Sequence, residues 1–164
     1  MTRMLPSLKR ILVDVNRCSG CRQCEMVCSF SNENKFGSSI SKITVIKEDN
    51  FGLDLPIVCW HCNPCNAMKN CPTEALERNE EGLVFVNEKK CIGCEKCSRT
   101  CTIGAIKLHP KRKTPLICNQ CGGKPLCVQK CPTKALTYIE TETQQPRLPD
   151  HVIKETLRRW RIIA

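Results

Sequence analysis

Aromatic residues and histidine are scarce in this chain: 164 residues include four Phe, two Trp, one Tyr and three His. So few rings leave little bulk for a side-chain core, and small domains in that position need a metal, a disulfide or a partner. The histidines, His61, His109 and His151, are scattered, and neither a phosphate-binding glycine loop nor a dinucleotide fingerprint occurs. No catalytic constellation is visible, so the chain is expected to be non-catalytic by itself. The opening residues MTRMLPSLKRILVDV lack the apolar run and cleavage site of a signal peptide. No uninterrupted apolar stretch is long enough to cross a bilayer. The expectation is a cytoplasmic protein with no direct membrane span. The formal charge is +10, but the basic run His109–Lys113 has no interleaved aromatic and no reading helix after it, which argues against nucleic acid.

Cysteine is what the chain has in excess. Its sixteen cysteines fall into four groups: Cys18, Cys21, Cys24 and Cys28; Cys59, Cys62, Cys65 and Cys71; Cys91, Cys94, Cys97 and Cys101; Cys118, Cys121, Cys127 and Cys131. An even count permits disulfides, yet clustered cysteines in a reducing compartment serve metals or catalysis. Structural zinc sites pair two short Cys-x-x-Cys knuckles. Here a third and a fourth cysteine follow closely within each group, which favours iron–sulfur clusters; a zinc-binding nucleic-acid module is the alternative. The phrase Cys71-Pro72-Thr73-Glu74-Ala75-Leu76 returns as Cys131-Pro132-Thr133-Lys134-Ala135-Leu136, and more loosely as Cys101-Thr102-Ile103-Gly104-Ala105-Ile106. Such repetition favours duplicated units over one irregular zinc domain.

Periodicity supplies the elements between the groups. Residues 9–17 alternate with Ile11, Val13 and Val15 on one face, as a half-buried strand does. Cys18–Cys28 are expected on a tight loop eased by Gly20, and 29–40 as a polar loop. Two alternating runs around Asp49–Gly52 read as a β-hairpin. A helix entry is expected after Pro72, then a turn at Glu80–Gly82 and a strand over 83–86. Residues 140–149 read as an extended tail, and Asp150 as the cap of a helix with Ile153, Leu157 and Trp160 on one side. That stripe suits packing on the protein's own body or on a partner.

The two inner groups, joined by one small helix-and-strand unit, resemble a bacterial two-cluster ferredoxin, in which the fourth cysteine of each group serves the other cluster. The outer two groups bracket them as a second such pair. The resemblance implies an α+β fold of two nested ferredoxin-like modules related by internal duplication. The outer, split module covers 8–58 plus 108–140, the inner one 59–107, and a helical tail 141–164. It also implies four [4Fe–4S] clusters with crossed ligation. Cys18, Cys21 and Cys24 would be completed by Cys131, and Cys118, Cys121 and Cys127 by Cys28. Cys91, Cys94 and Cys97 would be completed by Cys71, and Cys59, Cys62 and Cys65 by Cys101. Ligating cysteines are deprotonated, so sixteen thiolates and four oxidised cores would lower the formal charge to about +2. Many Lys and Arg side chains then compensate buried negative charge.

The order of motifs, with SKITVIKED and PIVCWHC between the first two groups and GLVFVNEKKCIGC before the third, is similar to the ferredoxin-type electron-transfer subunits of molybdenum and tungsten oxidoreductases. The likeness covers about residues 8–140. It implies a wire passing single electrons between a pterin Mo/W catalytic subunit and a flavin subunit, a soluble ferredoxin or another carrier. Small partners of tungsten aldehyde oxidoreductase-like enzymes are the nearest branch. An alternative role is self-association, stacking copies to extend the electron path. Two departures stand out. The family's second group places its third cysteine where Ala67 stands here, so Cys65 sits two residues early and His61 becomes a competing donor. Thr102 also replaces a common proline.

Overall fold

The structure, a computed structural model, describes residues 8–49 and 52–141. Apart from Thr141, the tail and helix expected over 141–164 lie outside the described residues. The strands form four antiparallel pairs. β1 (Leu8–Val13) pairs with β8 (Leu136–Thr141), β2 (Ile43–Glu48) with β3 (Leu53–Val58), β4 (Leu76–Arg78) with β5 (Val84–Val86), and β6 (Lys107–Leu108) with β7 (Pro115–Leu116). Each cysteine group lies between a strand that leads in and a strand that leads out. Every pair joins the outgoing strand of one unit to the incoming strand of the next, and β1 with β8 closes the circuit, Leu8 opposite Thr141 and Val13 opposite Leu136. The hairpin expected around Asp49–Gly52 is β2–β3, with Ile43 opposite Val58.

Four helices carry or adjoin the cysteines: α1 (Gln23–Glu33), α2 (Asn66–Lys69), α3 (Lys96–Thr100) and α4 (Leu126–Gln129). α1 packs on α4, and α2 on α3. Helices of one turn do not hold in isolation because nucleation is costly, so these short ones depend on the packing around them. Ile11, Ile43, Val58 and Leu136 build one apolar cluster together with Cys24, Cys28, Cys118 and Cys127. A second cluster unites Ala67, Leu76, Val84 and Ile106 with Cys97, and a third joins Ile46, Leu55 and Ile57 to Ile103 and Ala105. Each fully buried Ile or Val adds about 1.5–3 kcal/mol relative to exposure. With so few rings, aliphatic side chains and thiols fill the interior together.

Three expectations need correction. The first group is not wholly a loop, and 29–40 is not wholly coil, because Gln23–Glu33 is an 11-residue helix. Cys24 and Cys28 stand one turn apart on its buried face with Glu25 and Ser29. Its polar residues bond to the helix's own backbone: Ser29 Oγ donates to Met26 O (3.0 Å) and Asn32 Nδ2 to Cys28 O (2.8 Å). Asn34, at φ 52°, ends it. Second, no helix follows Pro72, and α2 instead precedes Cys71. The Ala75 N–H bonds to Cys71 Sγ (3.2 Å) rather than to a helical carbonyl, and Glu74 turns the backbone at φ 51°. Lys134 (φ 53°) and Gly104 (φ 67°) turn the two related phrases in the same way. Third, the first strand stops at Val13, where Asp14 caps a short 3-10 turn by accepting the Asn16 N–H (3.1 Å).

The basic run at 109–113 is anchored at its buried first residue and by one ion pair, with Lys111, Arg112 and Lys113 exposed. His109 is buried, and its Nδ1 accepts the N–H groups of Lys111 and Arg112 (3.2 and 3.1 Å). Arg112 grips Glu33 on α1 with two bonds of 2.9 and 2.6 Å.

Candidate iron–sulfur centres

All sixteen cysteines are free thiols, and they gather into sets that mix distant parts of the sequence. Cys18, Cys21 and Cys24 line one small cavity with Cys131 and Pro132. Cys91, Cys94 and Cys97 line another with Cys71. Around Cys127 the acting thiols include Cys118, Cys28 and Cys121. Those acting on Cys62 are Cys101 and Cys65, and Cys59 feels Cys101 and Cys62 as well as Cys118. Among the described residues no three His, Cys, Asp or Glu side chains converge as they would on one metal ion; two of the cysteine sets each line a small cavity instead.

Local backbone explains how three cysteines of a group face one way. The residue before each second cysteine has positive φ: Gly20 (63°), His61 (52°), Gly93 (67°) and Gln120 (51°). That turn aims an N–H back at the first sulfur, from Gly20 to Cys18, from His61 to Cys59 (3.5 Å) and from Gln120 to Cys118 (3.4 Å). Two residues further on, Arg22, Glu95 and Gly122 are again left-handed, whereas the second group has a cis Asn63–Pro64 bond there. Successive inward N–H groups form an anion-binding nest, as a thiolate-ligated centre requires.

The thiols are crowded and dry. Burial, followed by Glu25, pushes Cys24 up to about 12. Burial pushes Cys118 up to about 12 with Cys28 and Cys121 adding, and Cys97 up to about 11 with Cys91, Cys94 and Cys71 adding. Cys59 and Cys127 are raised chiefly by burial and then by neighbouring thiols. Thiolates so placed need a positive group at the centre of the set; an iron–sulfur core supplies one, so the donors fit the group. Cys71 and Cys131 behave differently. Slight burial raises them, but the N–H groups of residues two, four and five further on, with the Thr73 or Thr133 hydroxyl, bring both below the ordinary thiol value. The shared Cys-Pro-Thr-x-Ala-Leu phrase is thus a prepared thiolate seat.

The second group holds the site features least evident in sequence. Ala67 is 1% exposed and belongs to the apolar interior, so a thiol there would displace a core methyl. Cys65, in extended conformation, precedes α2 as its N-cap and lies beside Cys62. His61 is fully buried, and its Nδ1 accepts the Val84 N–H at 2.9 Å, which puts its proton on Nε2. Burial first, then Arg78 and Arg10, push its pKa down to about 4, so the ring is neutral. Nδ1 also lies 3.9 Å from Cys59 Sγ. Arg78 on β4 donates to the carbonyls of His61 (3.1 Å), Cys62 and Gly82. Sequence reasoning missed Arg78, Glu25 and Lys107. Glu25 is buried with Oε1 accepting the Val45 N–H (2.8 Å), and Lys107 binds Ser38 O and Thr44 Oγ1 (3.0 Å).

Among the described residues no helix is long and apolar enough to cross a membrane. The 4Fe-4S dicluster domain family matches residues 84–138. The sequence is 38% identical over 122 residues to the polyferredoxin-like subunit of aliphatic sulfonate oxidoreductase from Pyrococcus furiosus, covering 74% of this protein and 70% of that one. It is 31% identical over 141 residues to the thiosulfate reductase electron transfer subunit PhsB of Salmonella typhi, covering 78% of this protein and 73% of that one. One component of the BamBC active-site complex of benzoyl-coenzyme A reductase with 1,5-dienoyl-CoA superposes with a TM-score of 0.52 at 22% identity, over 95% of this protein and 93% of that one, a likeness of fold. Cysteine sets, strand circuit and relatives agree: the protein belongs to the ferredoxin-type iron–sulfur electron-transfer subunits of molybdenum and tungsten oxidoreductases.

Proposed function

We propose that the protein holds four [4Fe–4S] clusters and passes single electrons through them in series, without catalysing a reaction itself. The observation that carries this reading is a pair of small cavities in which three cysteines of one group stand beside one from another, Cys18, Cys21 and Cys24 with Cys131, and Cys91, Cys94 and Cys97 with Cys71. The clusters would be held by Cys18, Cys21, Cys24 and Cys131; by Cys28, Cys118, Cys121 and Cys127; by Cys59, Cys62, Cys65 and Cys101; and by Cys71, Cys91, Cys94 and Cys97. The bound cores supply one-electron redox chemistry, while the protein sets burial and hydrogen bonding around each. The packing of α1 on α4 and of α2 on α3 supports an outer module (8–58 with 108–140) nested around an inner one (59–107), related by duplication.

Neighbouring cysteines suggest an order. Cys24 acts on Cys127, and Cys118 acts on Cys59; Cys65 and Cys97 pack in one apolar cluster. The series would run from the 18/21/24/131 set through 28/118/121/127 and 59/62/65/101 to 71/91/94/97. Cys21 and Cys94, the two exposed cysteines, fall in its two end sets, where partners would exchange electrons. By analogy with the relatives, one partner is a pterin Mo/W catalytic subunit, and the other a flavin subunit or a soluble ferredoxin. The setting would be the cytoplasm, a reducing compartment in which clustered cysteines serve metals. Cys131→Ser tests the crossed pairing. It should damage the cluster on Cys18, Cys21 and Cys24 and spare the one on Cys118, Cys121 and Cys127, as resolved by EPR of the reduced protein; the opposite pattern would refute it.

A further inference from the structure

The charges around the four sets are unequal. Near the first set they are carboxylates paired with cations: Asp54, bridged to Lys47 at 3.0 Å, acts on Cys18, and Glu25, 4.0 Å from Arg22, acts on Cys24, while Lys42 acts on Cys118 of the second set. Around the 59–65 loop they are guanidinium groups. Arg78 lays its fork on the carbonyls of His61 and Cys62 and on Gly82 O, with Met68 Sδ 4.0 Å from its Nη2. Arg10, on β1 across the fold, acts on Cys62 and His61 and has its Nε buried. His61 adds a buried, unpartnered Nε2. Positive charge held close to a cluster in a poorly solvated loop favours the state with the extra electron.

We propose that Arg78 sets the potential of the cluster held by Cys59, Cys62, Cys65 and Cys101 and makes it the most oxidising of the four. The cluster that follows from the proposed ligation would then act as the point where an electron collects inside the wire. Arg78 does not touch the iron; it is a positioning residue whose charge is read by the cluster through the 61–62 backbone. The inference rests on the four-cluster reading above.

The test is an EPR-monitored redox titration of the iron-loaded full-length protein, comparing wild type with Arg78→Gln and Arg78→Lys. Expected is that the highest midpoint potential alone moves, downward, in Arg78→Gln. Lysine, which keeps the charge and loses the fork, should restore most of the shift. A purely structural role would instead give loss of iron in both variants at unchanged potentials in whatever clusters remain. No shift in Arg78→Gln, an equal shift of every cluster, or a lysine variant that behaves like glutamine would overturn the proposal. Should Arg78→Gln not assemble, Cys65→Ser serves: it must alter the signal that is reduced first in wild type, and an unaltered first signal overturns the proposal. A wild-type protein that assembles fewer than four clusters would count against the ligation reading, not against the role of Arg78.

Discussion

Gly20 offers a direct measure of how tightly the first cysteine loop is built. Its φ of +63° places it in the left-handed region, and a β-carbon added there would lie 2.2 Å from Asp54 Oδ1 and 2.4 Å from Asp54 Cγ. To make room, the Asp54 carboxylate on β3 would have to swing away and give up its 3.0 Å pair with Lys47. The left-handed conformation costs a non-glycine residue about 1–2 kcal/mol, and overpacking adds about 1–3 kcal/mol. Gly20→Ala should therefore destabilise by about 2–5 kcal/mol. Gly122 provides the control, since it has the same φ of +63° with nothing within 4 Å of an added β-carbon. Gly122→Ala should cost only about 1–2 kcal/mol. In anaerobic urea denaturation of the iron-loaded protein, a slope of about 2 kcal/mol per M separates the two midpoints by roughly 0.5–1.5 M. Gly20→Ala combined with Asp54→Ala should recover most of that separation, as coupled neighbours do. Equal midpoints for Gly20→Ala and Gly122→Ala, or no recovery in the double variant, would refute the packing argument.

Other perturbations follow from the same structure. Ile11→Ala removes a side chain 2% exposed from the β1–β8 pair and should cost about 2–5 kcal/mol, measured by the same denaturation. His61→Leu deprives the buried Val84 N–H of its acceptor and should cost about 1–3 kcal/mol, whereas His61→Gln should keep part of the bond and lose less. Arg112→Ala breaks a half-exposed pair with Glu33. It should cost no more than about 1 kcal/mol, less still at high salt, as thermal shifts at two ionic strengths would register.

Much of the site could be read from the sequence, since cysteine spacing is a local property. The groups, the paired Cys-Pro-Thr phrases and the hairpin around Asp49–Gly52 all depend on residues close in sequence. What escaped reading depends on contacts far apart. α1 looked polar beyond Cys28, yet its length is decided by Cys24 and Cys28 facing inward and by its packing on α4. The helix expected after Pro72 fails because Cys71 Sγ takes the Ala75 N–H, which is a demand of the sulfur and not of helix propensity. The pairing of Arg112 with Glu33, 79 residues away, has no local signal either. The bond from the Val84 N–H to His61 Nδ1 joins residues 23 apart and has no local signal.

Counting iron and acid-labile sulfide in anaerobically prepared protein, with EPR of the fully reduced state, tests the central claim most directly. Four clusters on sixteen cysteines require about sixteen iron and sixteen sulfide per molecule, with mutually interacting reduced signals. A colourless protein carrying zinc, or one holding iron for only two clusters, would contradict it.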